Sequence, residues 1–194
     1  MQQLNDQFIF DLKSNMKKGV LLINLGTPDS PGNADVRKYL TQFLNDPRVI
    51  DISPVGRFLL VNGIIVPFRA SNSAKLYKQI WTAEGSPLLV NSTKMKIALQ
   101  KELGDEYVVE LGMRYQSPSL ETALDKLKKE QVSEIIILPL YPQYASSSTG
   151  SSVEAAMKIL EKWEVTPSVK IISKFYDHPG YIDACVARAK NYNL

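Results

Sequence analysis

One cysteine and one histidine are all that 194 residues provide of the two side chains most used for metal and redox chemistry. Cys185 cannot form an internal disulfide, and Cys185 with His178 is too small a set for a Cys/His metal site, so no metal ligands are assigned in the chain. Cysteine usage this sparse points to a reducing compartment, and the cytoplasm is the expected location. Long apolar runs are missing too. None approaches the roughly 20 residues that span a bilayer, and no charged and apolar leader pattern precedes Gly19. Charge is nearly balanced at a net +3, with the lysines spread over helix faces, which argues against a nucleic-acid partner. The dinucleotide fingerprint G-x-G-x-x-G is absent, and Pro28 follows the first strand where that cradle would lie, so NAD is not expected. What is present is an ordinary globular composition, 44% hydrophobic and 22% charged, able to bury a core as one domain or a large piece of one.

The most informative stretch joins a strand to an unusual loop. Ile135, Ile136, Ile137 and Leu138 form an unbroken, β-branched apolar run, the pattern of a strand buried on both faces of a parallel sheet. Pro139 and Pro142 lack the N–H that a ladder needs and are expected to end it. Six hydroxyl side chains between Ser146 and Ser152 then surround Gly150 and lead into a helical pattern through Val153, Ala156, Met157 and Leu160. A strand's carboxyl end feeding a hydroxyl-rich helix start is where open α/β sheets bind ligands, and free N–H groups there favour anions. A solvated loop with a Ser/Thr helix cap explains the same residues.

Taken in order, residues 1–18 are polar, weakly periodic and end in the basic pair Lys17-Lys18, which reads as an N-terminal extension able to hold a short helix. Val20, Leu21, Leu22 and Ile23 make the first buried strand, with a turn at Gly26 that should lie beside the 141–150 loop. A helix capped at Asn33 follows, apolar at Val36, Tyr39, Leu40, Phe43 and Leu44, and stops before Pro47. Segment 55–68 is dense in apolar residues, broken by Gly63 and ended by Pro67 and Phe68. It fits either a helix buried against the sheet, the commoner arrangement, or an exposed apolar lip that meets a greasy ligand or a membrane surface. Helical patterns at 71–81 and 86–103, a second buried strand at 107–113, a helix at 119–130, a helix at 153–163, a fourth buried strand at 169–173 and a last helix opened by Pro179 complete the chain. Arg114 and Tyr115 fall at the carboxyl end of the second strand, where an arginine can hold a carboxylate bidentately or can be a plain surface residue. Strand and helix alternate with short connections. The expected fold is therefore α/β, a flavodoxin-like three-layer sandwich with a parallel sheet of about four strands, covered on both faces.

Five motifs occur in one order: LLINLGTP at 21–28, FLNDPRVI at 43–50, IWTAEGSPL at 80–88, MRYQSPS at 113–119 and LPLYPQYASSSTGS at 138–151. Together they resemble the amino-terminal half of a bacterial ferrochelatase, the enzyme that inserts ferrous iron into a porphyrin in haem synthesis. The resemblance runs from Lys18 to the end of the chain and leaves 1–17 outside it. It implies two similar flavodoxin-like domains with the porphyrin between them, of which residues 18–194 supply one. It also implies that the porphyrin, protoporphyrin IX or coproporphyrin III, and Fe2+ are substrates, with no cofactor bound by this part. Leu25 matches the position that approaches the macrocycle from the face opposite the catalytic histidine. Arg114 and Tyr115 match residues at the porphyrin rim, Tyr77 and Ser86 the helix and turn that close over it, and Tyr141, Ser148 and Thr149 the wall loop. The segment holding Phe58 and Phe68 matches the apolar lip at the cleft mouth, a candidate peripheral membrane contact.

The resemblance places the family's catalytic histidine and its partner glutamate in segments that this sequence does not contain, so no catalytic residue is assigned. His178 lies in DHPGYI, which matches a different family position, and reads as a capping residue of the last helix. The expectation is a porphyrin-cradling, amino-terminal part of a chelatase, inactive without a second domain as its partner. Three alternatives stand beside it. They are a self-sufficient porphyrin or haem-binding module without catalysis, a small dimeric chelatase that would need His178 at the cleft, and a flavin site suggested by fold alone.

Overall fold

The computed structural model describes residues 16–190, and the expected N-terminal extension lies, apart from Met16 and Lys17, outside the described residues. The sheet has four parallel strands in the order β2-β1-β3-β4, with β1 Lys18–Gly26, β2 Tyr107–Tyr115, β3 Glu134–Pro139 and β4 Ser168–Ile171. Helices α1 (Asn33–Leu44), α2 (Pro54–Leu59), α3 (Val66–Ile80) and α4 (Pro87–Leu103) separate β1 from β2. Helix α5 (Leu120–Lys129) leads to β3, α6 (Ser151–Leu160) to β4, and α7 (Pro179–Lys190) follows β4. The α/β architecture with a four-stranded parallel sheet flanked by helices is the flavodoxin-like arrangement that the alternating pattern predicts.

The two faces of the sheet are covered unequally. Leu21, Ile23, Ile135 and Ile137 pack beneath α5 and α6 through Leu124, Leu127, Ala156 and Leu160, all fully buried. On the other face Val20, Leu22, Leu111 and Met113 meet Leu89, Leu99 and Leu103 of α4, while Ile136 and Leu138 of β3 are only partly covered. The prediction of a fourth buried strand is thus corrected. β4 is an edge strand with β3 as its one neighbour, and Ile171 and Ile172 keep 44% and 42% of their surface in solvent. The apolar positions of α7 likewise face water, with Ile182 and Val186 nearly half exposed. A strand with one neighbour and a helix that buries no residue leave this corner of the sheet unroofed.

Local chemistry explains most boundaries. Ser119 caps α5 by accepting from the Thr122 N–H, Glu121 sits in its first turn, and Lys126, Lys128 and Lys129 in its last, each complementing the helix dipole. Pro87 opens α4, and Gly104 closes it at φ 69°, where a side chain is disfavoured. The cap of α1 is Gly32 rather than Asn33, which is already the first helical residue.

One proline acts as expected and one does not. Pro139 is the last residue of β3, opposite Ile23, and the ladder ends there with the bond from the Leu140 N–H to the Ile23 carbonyl at 2.7 Å. The Leu140 N–H faces β1, so the donor that Pro139 lacks would face β4, beyond that strand's last bond from the Ile172 N–H to the Ile137 carbonyl. Pro67 does not end a helix. Residues 54–80 run helically without interruption, as α2, a π-helical turn Leu60–Ile65 and α3. Proline at the start of α3 loses a donor there, and the wider turn before it, with the Val66 N–H reaching back to the Val61 carbonyl, accommodates its ring.

Candidate functional site at the carboxyl edge of the sheet

β1 pairs with β2 on one side and β3 on the other, so the order of the strands reverses direction at β1 and β3. The crevice outside the carboxyl ends of such strands is the usual ligand position in open α/β sheets. Gly26 ends β1 at φ 107°, and a Cβ built on it would stand 2.0 Å from the Tyr115 carbonyl oxygen. Only glycine lets the first turn leave this close to β2. Next to it the Thr27 hydroxyl meets the Ser86 hydroxyl at 2.9 Å, and the Asn24 side chain donates to the Ser92 Oγ at 3.0 Å. These two contacts clamp the start of α4 against the exit of β1.

A charge network lies at the end of β2. Asp46, in the short connection after α1, is buried and accepts from the Arg114 Nη2 at 2.6 Å, the Tyr115 hydroxyl at 2.8 Å, the Ser151 hydroxyl and, through its other oxygen, the Arg48 N–H at 2.8 Å. Arg114 also donates from Nε to the Ser151 Oγ at 2.7 Å and lies over the Tyr115 ring. Burial alone would raise the Asp46 carboxyl, but the hydrogen bonds from Ser151, Arg48 and Tyr115 and the Arg114 charge together hold it below its ordinary value. The Tyr115 phenol is pushed far up by burial and stays protonated at every physiological pH. The carboxylate therefore joins α1, β2 and α6, and takes the position at the helix start where the sequence suggested an outside anion.

The hydroxyl-rich stretch is itself helical. Ser146–Gly150 forms a π-helical turn capped by Ala145 and continuous with α6, so Ser151 and Ser152 are buried first-turn residues rather than loop residues. Serine and threonine compete with helix backbone for hydrogen bonds, which is why the pattern reads as a loop. Thr149 is fully buried and its hydroxyl has no partner among the described residues.

The predicted site residues divide into two sets. Leu25 and Tyr77 are partly buried against one cluster with Tyr39 and Tyr115, in which Tyr39 makes edge-to-face contacts with Tyr77 at 6.2 Å and Tyr115 at 6.4 Å. Burial raises the Tyr77 and Tyr141 phenols, so both are neutral hydroxyls at physiological pH. Arg114 and Tyr115 form the second set, joined to Asp46 together with Ser151, which was not among the predicted residues. Ser86 is buried and engaged with Thr27, Tyr141 approaches the Ser152 Oγ at 3.5 Å, and Ser148 lies in the π-helical turn. The residues are not drawn into one cavity. Arg114 and Tyr115 line a cleft of about 520 Å³ with Gln42 and Gln116, and Thr149 lines a separate one of about 260 Å³ with Arg48 and Tyr144. A larger cleft of about 920 Å³ opens at the opposite, amino-terminal edge and contains none of them.

Sequence reasoning gives no role to Asp46, although it lies within the FLNDPRVI motif at 43–50 as an acid between Asn45 and Pro47 at a helix stop. It also passes over Gln42, whose amide oxygen accepts from both the backbone and the side chain of Gln116 at 3.1 and 2.6 Å. The apolar segment at 55–68 resolves into two faces. Val61 and Val66 are buried, whereas Phe58, Leu59, Ile64 and Phe68 stand 57–77% exposed, so the buried arrangement holds for one face only. His178 caps α7, its Nδ1 accepting from the Gly180 N–H at 3.2 Å, and no group of three or more His, Cys, Asp or Glu is placed to hold a metal among the described residues. No helix there is long and apolar enough to cross a membrane.

Residues 17–193 match the family model described as ferrochelatase. A curated ferrochelatase of Coxiella burnetii (strain CbuG_Q212) is 49% identical over 176 residues, which cover 91% of this chain and 49% of the relative. A ferrochelatase of Legionella pneumophila (strain Paris) is 48% identical over 177 residues, 91% of this chain and 53% of the relative. The chain spans about half the length of the curated relatives that it matches.

Proposed function

This chain belongs to the ferrochelatase family, and from that premise we propose that it is the porphyrin-holding part of an enzyme that inserts Fe2+ into protoporphyrin IX or coproporphyrin III. The observation that supports the reading is that Leu25, Tyr77 and Tyr115 share one apolar and aromatic cluster, with Arg114 over the Tyr115 ring at the carboxyl end of β2. An apolar, planar dianion suits such a cluster. Leu25 offers an aliphatic floor that can pack on a ring but cannot ligate iron. Tyr77 and Tyr141 offer neutral phenols. Arg114 spends Nε and one Nη2 proton on Ser151 and Asp46, which leaves its Nη1 side for a propionate.

Metal insertion needs the two pyrrole N–H protons removed and the ion relieved of part of its water, work suited to an imidazole beside carboxylates. In this chain the single histidine is engaged in capping α7. Our reading is therefore that the proton acceptor and iron ligands come from the half of the relatives' length that this chain does not match, and that residues 16–190 alone bind porphyrin without metallating it. The exposed strip of Phe58, Leu59, Ile64 and Phe68 would lie at the cleft mouth, as a peripheral membrane contact or a guide for the porphyrin.

A Soret titration of the chain with protoporphyrin, followed by ferrous iron or zinc, tests this. The expected result is a saturable red shift that metal does not convert to the metalloporphyrin spectrum. Metallation above the protein-free rate would overturn the claim that the proton acceptor lies elsewhere. Absence of binding would overturn the claim that this part holds the porphyrin.

A further inference from the structure

Arg114 is held at three points. Its Nε donates to the Ser151 Oγ at 2.7 Å, its Nη2 donates to the Asp46 Oδ2 at 2.6 Å, and its guanidinium carbon stands 4.7 Å from the centre of the Tyr115 ring. The two acceptors are themselves fixed. Ser151 is fully buried in the first turn of α6 and gives its own proton to Asp46, and Asp46 is buried and anchored through Oδ1 by the Arg48 N–H. Buried in this way, both act on a ligand only through Arg114, whose side chain is 25% exposed.

This arrangement is poor for charge and good for direction. A carboxylate 2.6 Å from the guanidinium cancels much of its pull on a second anion, so an arginine meant only to attract would gain by lying away from Asp46. A planar fork tied at Nε and Nη2, by contrast, has lost its rotamer freedom before a ligand arrives. It keeps Nη1, which has no partner among the described residues, aimed one way. We infer that Ser151 and Asp46 are positioning residues, which hold the Arg114 guanidinium so that a carboxylate is recognised by the direction of its hydrogen bonds rather than by charge. The inference rests on the reading that Arg114 meets a porphyrin propionate, and it makes a free acid the preferred ligand over its ester.

Paired Soret titrations of the native chain and its variants with protoporphyrin IX and with its dimethyl ester, in one non-ionic detergent, test this. The native chain should prefer the free acid by about tenfold. Ser151→Ala changes no charge, and it should lower that preference by about threefold or more while the ester's affinity stays within about twofold. Asp46→Ala removes the competing acid and should lower the preference as well; if that variant does not fold, Ser151→Ala decides alone. An unchanged preference in Ser151→Ala, with both affinities either intact or reduced in proportion, would overturn the inference, because a residue that only supports the fold affects acid and ester alike. A raised preference in Asp46→Ala would also overturn it and assign recognition to charge. A native chain that binds both compounds equally frees Arg114 from the propionate and sinks the inference alone, whereas one that binds neither refutes the porphyrin reading itself and takes the inference with it.

Discussion

Asp46 and Arg114, separated by 68 positions, meet at 2.6 Å in a setting where the carboxylate is almost wholly buried and the guanidinium a quarter exposed. The pair ties the turn after α1 to the end of β2, and through Ser151 to the first turn of α6. Removing one partner of a buried pair is costly because the other keeps its desolvation penalty. Asp46→Ala should lower unfolding stability by about 3 kcal/mol, read by urea denaturation. Asp46→Asn, which preserves acceptor shape, should recover part of that loss. A cost under about 0.5 kcal/mol, the range of ordinary surface substitutions, would show that the network is incidental.

The same carboxylate sets an acid limit. Its folded value lies below its ordinary one, so its contribution to stability is complete above about pH 5 and is lost as pH falls through the folded value. A plot of melting temperature against pH should decline below about pH 4 in the native chain. The Asp46→Asn chain should show a flatter decline over that range. Parallel curves would assign the acid limb to other carboxylates.

Gly26→Ala is expected to be among the most damaging single substitutions. It combines a positive-φ backbone with a Cβ 2.0 Å from the Tyr115 carbonyl oxygen. Conformational strain of about 1–2 kcal/mol adds to overpacking of about 1–3 kcal/mol. Gly63→Ala, at a position with no atom within 4 Å of the added carbon, is the matched control and should be neutral or slightly stabilising. Similar melting temperatures for the two variants would contradict the close approach of β1 and β2 at this turn.

Phe58→Asp with Phe68→Asp changes two largely exposed side chains, so stability should move by less than about 1 kcal/mol. Co-sedimentation with anionic vesicles and concentration-dependent association in the ultracentrifuge should both fall severalfold. Retention of both properties would remove the exposed strip as the surface responsible.

For porphyrin binding, Leu25→Asp places an unpaired carboxylate on the proposed floor and should weaken the Soret titration at least about tenfold, the effect of roughly 1.4 kcal/mol. Arg114→Lys keeps the charge but not the planar fork that serves Ser151 and Asp46 together, and should weaken both binding and folding. If Leu25→Asp binds porphyrin as tightly as the native chain, the macrocycle lies elsewhere.

Much of this molecule is legible in one dimension because its governing signals are local. The apolar runs 20–23 and 135–138 announce strands, Ser119 and Pro87 announce helix starts, and Gly104 announces a helix end, each through backbone chemistry within one turn. The boundaries that differ from expectation at Pro67 and along Ser146–Gly150 share one cause. In both places a π-helical turn accommodates residues that ordinarily interrupt a helix, and the local pattern cannot reveal the wider turn. β4 reads as buried because its residues are apolar. Burial, however, depends on whether another element comes to cover them.

Motif and periodicity alone establish the family, the alternating α/β order, and the position of Leu25, Arg114 and Tyr141 at strand ends. Folding in three dimensions settles the rest: Asp46 occupies the start of α6, Arg114 is already partnered, and one face of segment 55–68 is buried while the other meets solvent. Those outcomes depend on contacts between residues tens of positions apart, where desolvation and pairing are fixed by which elements the fold brings together.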